Sequence, residues 1–164
     1  MERFEHIYEE HREAVEAFVR RRAPASLVED VVSETFLVCW RKLDRVPAEP
    51  LPWLYAVARK TLANQRRSLA REQRLGDGDP VSAAGEPEPV GDTVLAAAFA
   101  ALSERDREVL RLIAWEGLSL SQAAVVLRCS ALACRVRYHR AKTRLARRLE
   151  ATEKFRPELK GATR

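Results

Sequence analysis

The chain has 164 residues, 46% hydrophobic and 32% charged, with a formal net charge of +5. That balance is globular rather than disordered, and the length suits one ordinary domain or two small ones. No run of about 18 apolar residues occurs, which excludes a transmembrane helix and membrane insertion, and the charged start MERFEHIYEEHREA lacks a secretory signal core, so a cytoplasmic protein is expected.

The first predicted helix carries Phe4, Ile7, Tyr8, Val15, Phe18 and Val19 at helical spacing, and Pro24 ends it. Ser26 with Glu29 three residues on reads as a capping box opening a second helix. Its apolar stripe is Val28, Val31, Val32, Thr35, Phe36, Cys39, Trp40 and Leu43. Pro47, Pro50 and Pro52 interrupt the chain. A third helix follows, with Trp53, Leu54, Val57, Ala58, Thr61 and Leu62 on one side, and runs into the basic stretch Arg59, Lys60, Arg66, Arg67, Arg71 and Arg74.

The composition then breaks. Leu75 to Asp92 reads LGDGDPVSAAGEPEPVGD and holds four of the six glycines and three of the eight prolines; all its charges are acidic. Such a segment opposes helix and strand and has little to pack. It reads as a flexible acidic linker over 75–92, separating a helical domain over 1–74 from a second over 93–150, with a frayed tail over 151–164. No strand pattern or repeat is present, so the expected fold is all-α, with two small domains.

In the second half, Asp92 or Thr93 caps a short Ala-rich helix ending near Leu102. Ser103 caps the next, with Asp106 at its third position and Val109, Leu110 and Ile113 facing inward. Gly117 suits the left-handed position that ends a helix. Ser119 and Gln122 form a capping box on a two-turn helix with Leu120, Ala123, Ala124 and Leu127. Arg128 and Cys129 make a turn, Ser130 caps a long basic helix, and Pro157 stops helix in the tail. From Gly117 to Leu149 there is no acidic residue. A basic helix presented by a tight turn after a short helix is a helix-turn-helix, built to enter a DNA groove.

Periodicity orients that last helix. Cys134, Tyr138, Ala141, Leu145 and Leu149 fall on an inward stripe, and Leu132, Val136, His139, Arg140 and Thr143 lie opposite, flanked by Arg135, Arg137 and Arg144. Base readers come from the N-terminal half, so Arg135, Arg137, His139 and Arg140 are the candidates.

The whole chain resembles a bacterial sigma factor of the extracytoplasmic-function (ECF) class. The resemblance rests on ASLVEDVVSETFLVCWRKLDR (Ala25 to Arg45), on PWLYAVARKTLANQRR (Pro52 to Arg67), and on LSERDREVLRLIAWEGLSLSQAAVVL followed by RVRYHRAKTRL. It implies an RNA polymerase subunit that binds core RNA polymerase and directs initiation at specific promoters. Carried onto this chain, Asp30, Glu34, Phe36 and Trp40 match the polymerase-binding helix. Arg59, Lys60, Asn64 and Arg67 match the helix that recognises the minus-ten element, with Trp53 and Tyr55 near its start as stacking candidates. Arg135, Arg137, His139 and Arg140 match the minus-thirty-five helix. The resemblance also leaves room for an anti-sigma factor as partner, and implies a monomer when free. This chain departs from the family at Lys60 and Asn64, at Leu132-Ala133-Cys134, where the family usually has Gly-Thr-Val, and in the turn, which lacks the common Gly.

A second reading is a helix-turn-helix regulator acting on duplex DNA without being a polymerase subunit. Its usual receiver or ligand domain would show alternating strands and helices, which the first half lacks. No enzymatic constellation, cofactor loop or metal site is expected. Cys129, Cys134 and His139 are spaced five apart, which is not one helical face. With Cys39 the cysteines number three, so no disulfide framework is expected.

Overall fold

The computed structural model describes residues 1–75 and 93–155. The chain divides into two units, Met1–Pro87 and Glu88–Arg164. Among the described residues all regular structure is helical.

The first unit packs three helices against one another: α1 (Glu2–Arg20), α2 (Ala25–Arg41) and α3 (Pro50–Leu75). Val15, Phe18 and Val19 of α1, Val31, Thr35 and Cys39 of α2, and Leu54 and Ala58 of α3 are fully buried. A side chain the size of Phe18 contributes about 2 kcal/mol by leaving water. Thr35 enters this core because its Oγ1 donates to the Val31 carbonyl at 2.7 Å, leaving no unsatisfied hydroxyl. Phe18 stacks on Tyr55, with centroids 4.4 Å apart and planes 11° from parallel.

Two polar links fix the ends of this bundle. Arg22, buried over the Phe18 ring at 3.7 Å, donates to the Phe18 carbonyl at 2.9 Å. Arg66 of α3 donates to the Arg22 carbonyl. At the other end Arg3 donates to the carbonyls of Leu43 at 3.0 Å and Val46 at 2.6 Å. A single guanidinium thereby holds the short 3-10 turn Leu43–Arg45 and the loop after it, while Val46 is buried beneath.

Two helix starts differ from the expectation. α2 begins at Ala25 behind Pro24, and no side chain caps it. Proline fixes φ at −60° and sends the chain into the helix two residues early, which puts Ser26 inside the first turn instead of at the cap. α3 begins at Pro50, so Pro50 and Pro52 lie within its first turn rather than before it. Amide hydrogens there have no partner in the helix, and proline loses nothing by lacking one.

The second unit contains α4 (Thr93–Ala100), α5 (Glu104–Ala114), α6 (Leu120–Leu127) and α7 (Ala131–Phe155), with α4, α5 and α6 all packed on α7. Its punctuation follows the sequence. Ser103 Oγ accepts from the Asp106 amide at 3.2 Å. Gly117 takes φ +65°. Ser119 and Gln122 form a reciprocal capping box, and Ser130 Oγ accepts from the Ala133 amide at 3.1 Å. Val109, Leu112, Ala123, Cys134 and Ala141 are fully buried. α7 continues past Leu149 to Phe155, into the expected tail. The run EATEKF holds no helix breaker, so nothing stops the helix at Glu150. The expected linker beyond Leu75, the Asp92 cap and the Pro157 stop lie outside the described residues.

Candidate functional site

Three exposed surfaces collect the residues singled out from the sequence. The first is on α2. Asp30, Glu34 and Trp40 are exposed on its outward side together with Glu29, Ser33 and Leu37. Trp40 is 47% exposed, whereas Phe36 is 3% exposed. The expected apolar stripe of α2 therefore holds at Phe36 and ends before Trp40, which turns outward. Phe4 and Tyr8 of α1 complete an aromatic row: Phe4 meets Trp40 edge-on at 5.1 Å, and Tyr8 meets Phe36 edge-on at 4.8 Å. Between the two helices lies a groove of about 320 Å³ lined by Phe4, Tyr8, Val32, Phe36, Leu37 and Trp40. Tyr8, expected in the core, is 38% exposed, and Leu37, not singled out from the sequence, is 40% exposed. Glu29 and Ser33 also line the groove, so carboxylates and apolar side chains share this side of α2.

The second surface is on α3. Arg59, Lys60, Asn64 and Arg67 are all exposed on one side of that helix. Arg67 Nη2 donates to Asn64 Oδ1 at 2.6 Å and Arg67 Nε to the Ala63 carbonyl at 3.2 Å, so the pair presents one preformed polar group. Trp53 at the helix start is half-buried. Tyr55 is 3% exposed and stacked on Phe18. It serves the core, which removes it from the stacking candidates.

The third surface is the outer side of α7. Cys134 and Ala141 are buried, Tyr138, Leu145 and Leu149 are half-buried, and Leu132, Arg135, Val136, His139 and Arg140 are exposed, as the helical period requires. Leu132 is 69% and Val136 41% exposed, which sets two apolar side chains among the donors of this face. Among the described residues no ion pair engages Arg135, His139 or Arg140. Arg137 is half-buried near Cys134. The turn before α7 places Arg128 at φ +54°, the left-handed region, a conformation that costs a non-glycine residue about 1 kcal/mol.

Arg144 behaves differently from its neighbours. Its Nη1 lies 2.7 Å from Asp106 Oδ2, and Asp106 is 5% exposed. This pair ties α5 to α7 and sets Arg144 apart from the candidate residues of the outer side. A second cluster braces α5: Arg111 Nη1 lies 3.2 Å from Glu104 Oε1 and 3.9 Å from Glu108 Oε2, and Arg107 donates to Glu104 at 2.7 Å. Neither network was singled out from the sequence. For the α5 cluster alone a signal was available, the alternation of acids and arginines in SERDREVLR.

Residues 7–72 match sigma-70 region 2 and residues 93–145 match sigma-70 region 4. The chain is 32% identical over 141 residues to the ECF RNA polymerase sigma factor SigF of Caulobacter vibrioides, covering 83% of this chain and 79% of that protein. It is 31% identical over 149 residues to the RNA polymerase sigma factor CnrH of Cupriavidus metallidurans, covering 78% and 76%. The sigma factor RpoE of Bartonella quintana, solved in complex with the anti-sigma factor NepR, superposes with a TM-score of 0.70 at 25% identity, covering 92% of this chain and 98% of that one. The chain belongs to the ECF RNA polymerase sigma factors. A stand-alone duplex-binding regulator does not account for the region 2 match in the first unit.

Proposed function

We propose that this sigma factor divides its work between its two units. The first, residues 1–74, binds core RNA polymerase through α2 and the minus-ten element through α3. The second, residues 93–150, reads the minus-thirty-five element in duplex form through α7. The observation that carries this reading is the outer face of α7. Three donors, Arg135, His139 and Arg140, stand free of ion pairs among the described residues, beside two exposed apolar side chains. Guanidinium groups suit the O6/N7 edge of guanine, and Val136 and Leu132 suit thymine methyls. Arg137 lies at the edge of this face and reaches phosphates.

On α2, Asp30 and Glu34 meet basic groups of the polymerase, while Trp40 and Leu37 supply desolvated contact area. Phe36 supports that surface from beneath. On α3, Arg59, Lys60 and the Asn64–Arg67 pair line a basic path for an opened strand, with Trp53 at its start. The protein acts by binding, without enzymatic chemistry, metal or cofactor, as a cytoplasmic monomer when free. The α1–α2 groove is a surface an anti-sigma factor would cover, a reading supported by the relative RpoE, solved in complex with the anti-sigma factor NepR.

A binding assay with separated readouts tests the division. Glu34→Lys should reduce retention of the chain by core polymerase and leave duplex binding by the second unit intact. Arg140→Ala should do the reverse. Loss of both activities in either variant would refute two independent surfaces.

A further inference from the structure

The thiols of the recognition helix do not take part in the surfaces above. Ser130 is the N-cap of α7, since its Oγ accepts from the Ala133 amide and its carbonyl accepts from the Cys134 amide at 2.9 Å. Cys129 is therefore the residue before the cap, and Cys134 the fourth helical residue. These two positions ordinarily hold an apolar pair whose contact fixes how the chain enters a helix. Here both are cysteines. The cap bonds of Ser130 set them at the two positions whose side chains meet across a helix start, and both thiols are free. Cys129 is half-buried at the turn, and Cys134 is fully buried against the bundle. Cys39, in the other unit, is buried without a second thiol.

We propose that Cys129 and Cys134 form a dithiol site for two-electron thiol oxidants, closing to an intramolecular disulfide that locks the turn to the recognition helix. With a low-molecular-weight disulfide as oxidant, the Cys129 thiolate attacks one sulfur and expels the first small thiolate. Cys134 then attacks the Cys129 sulfur of the mixed disulfide and expels the second. Two protein thiols are oxidised, one small disulfide is reduced to two thiols, and the two protein protons end on the leaving groups. Burial, together with the neighbouring Cys129, pushes the Cys134 thiol up from its ordinary range, so the half-buried Cys129 is the thiol that meets the oxidant first. The bond draws the first turn of α7 toward the preceding turn. Arg135 and Val136 follow directly on that turn, so their register on a base edge shifts. This consequence for DNA rests on the duplex-reading role of α7; the cross-link itself does not.

The experiment treats the full-length chain with oxidised glutathione and maps thiols by mass spectrometry before and after dithiothreitol. Duplex binding is measured in parallel on a fragment selected from a random pool by the reduced chain. The proposal expects loss of two hydrogens, a peptide linkage between Cys129 and Cys134, and about tenfold weaker duplex binding, all reversed by dithiothreitol. Cys129→Ser, altering only the half-buried thiol, should retain binding and resist the oxidant. A stable glutathione adduct on Cys129 without the linkage, or disulfide-bonded dimers, would overturn the site. A formed linkage with unchanged binding would overturn its control of DNA reading. If the reduced chain selects no duplex, the duplex-reading role fails, while the linkage map still decides the site.

Discussion

Replacing Arg144 by Ala removes the guanidinium 2.7 Å from Asp106 and strands a carboxylate that is only 5% exposed. A hydrogen bond to a charged group contributes about 1.5–3 kcal/mol net. The Arg144 side chain is 54% exposed, and solvent screening moves the figure toward the lower end, about 1.5 kcal/mol. Asp106 keeps some support from its place in the first turn of α5, where the helix dipole favours an anion. Hydrogen exchange of α5 and α7 peptides measures this locally, since it separates the second unit from the first. Arg144→Ala should speed exchange in both helices by about tenfold, the rate equivalent of that energy. Combined with Asp106→Asn, the two changes should be strongly non-additive, because each removes the same contact. At saturating protein and low temperature, duplex binding by Arg144→Ala should stay within a few-fold of the parent. Unaltered exchange together with lost duplex binding would refute the reasoning, because Arg144 would then be a DNA contact and the Asp106 pair incidental.

Arg140→Ala should weaken minus-thirty-five duplex binding by about 1–3 kcal/mol, measured by fluorescence anisotropy, with circular dichroism and core binding unchanged. Glu34→Lys should lower affinity for core polymerase in a native-gel titration, more steeply at low salt, since a like charge then faces the partner. Trp40→Ala should leave the first unit folded, because the ring is 47% exposed, yet still weaken core binding; a collapsed melting transition would place Trp40 in the core instead. Arg128→Gly should raise the stability of the second unit to urea by about 0.5–1 kcal/mol by relieving the left-handed backbone.

The second unit was legible almost residue by residue. Ser103, Ser119 and Ser130 cap helices through short-range bonds that depend only on sequence spacing, and Gly117 takes its left-handed position for the same local reason. The two faces of α7 followed from helical period alone. In the first unit local rules were overridden. Pro24 displaced the Ser26–Glu29 box, and Pro50 and Pro52 joined the helix they were expected to precede. Tyr8 and Trp40 read as core because apolar side chains at helical spacing look alike from sequence. Only the packing of α1 on α2 shows that this aromatic row forms the lip of a groove. Tyr55 went the other way, since its partner Phe18 is 37 residues distant and no local pattern links them. Arg144 and Arg3 were invisible for the same reason: their partners, Asp106 and the 43–47 carbonyls, lie about forty residues away along the chain.

The most direct measurement is run-off transcription by purified core RNA polymerase on a pool of promoter fragments, with and without this chain. The account predicts new transcripts whose start sites share a two-part upstream motif, lost with Arg140→Ala and with Glu34→Lys. No new transcripts, accompanied by tight binding of the chain to bare duplex, would contradict it.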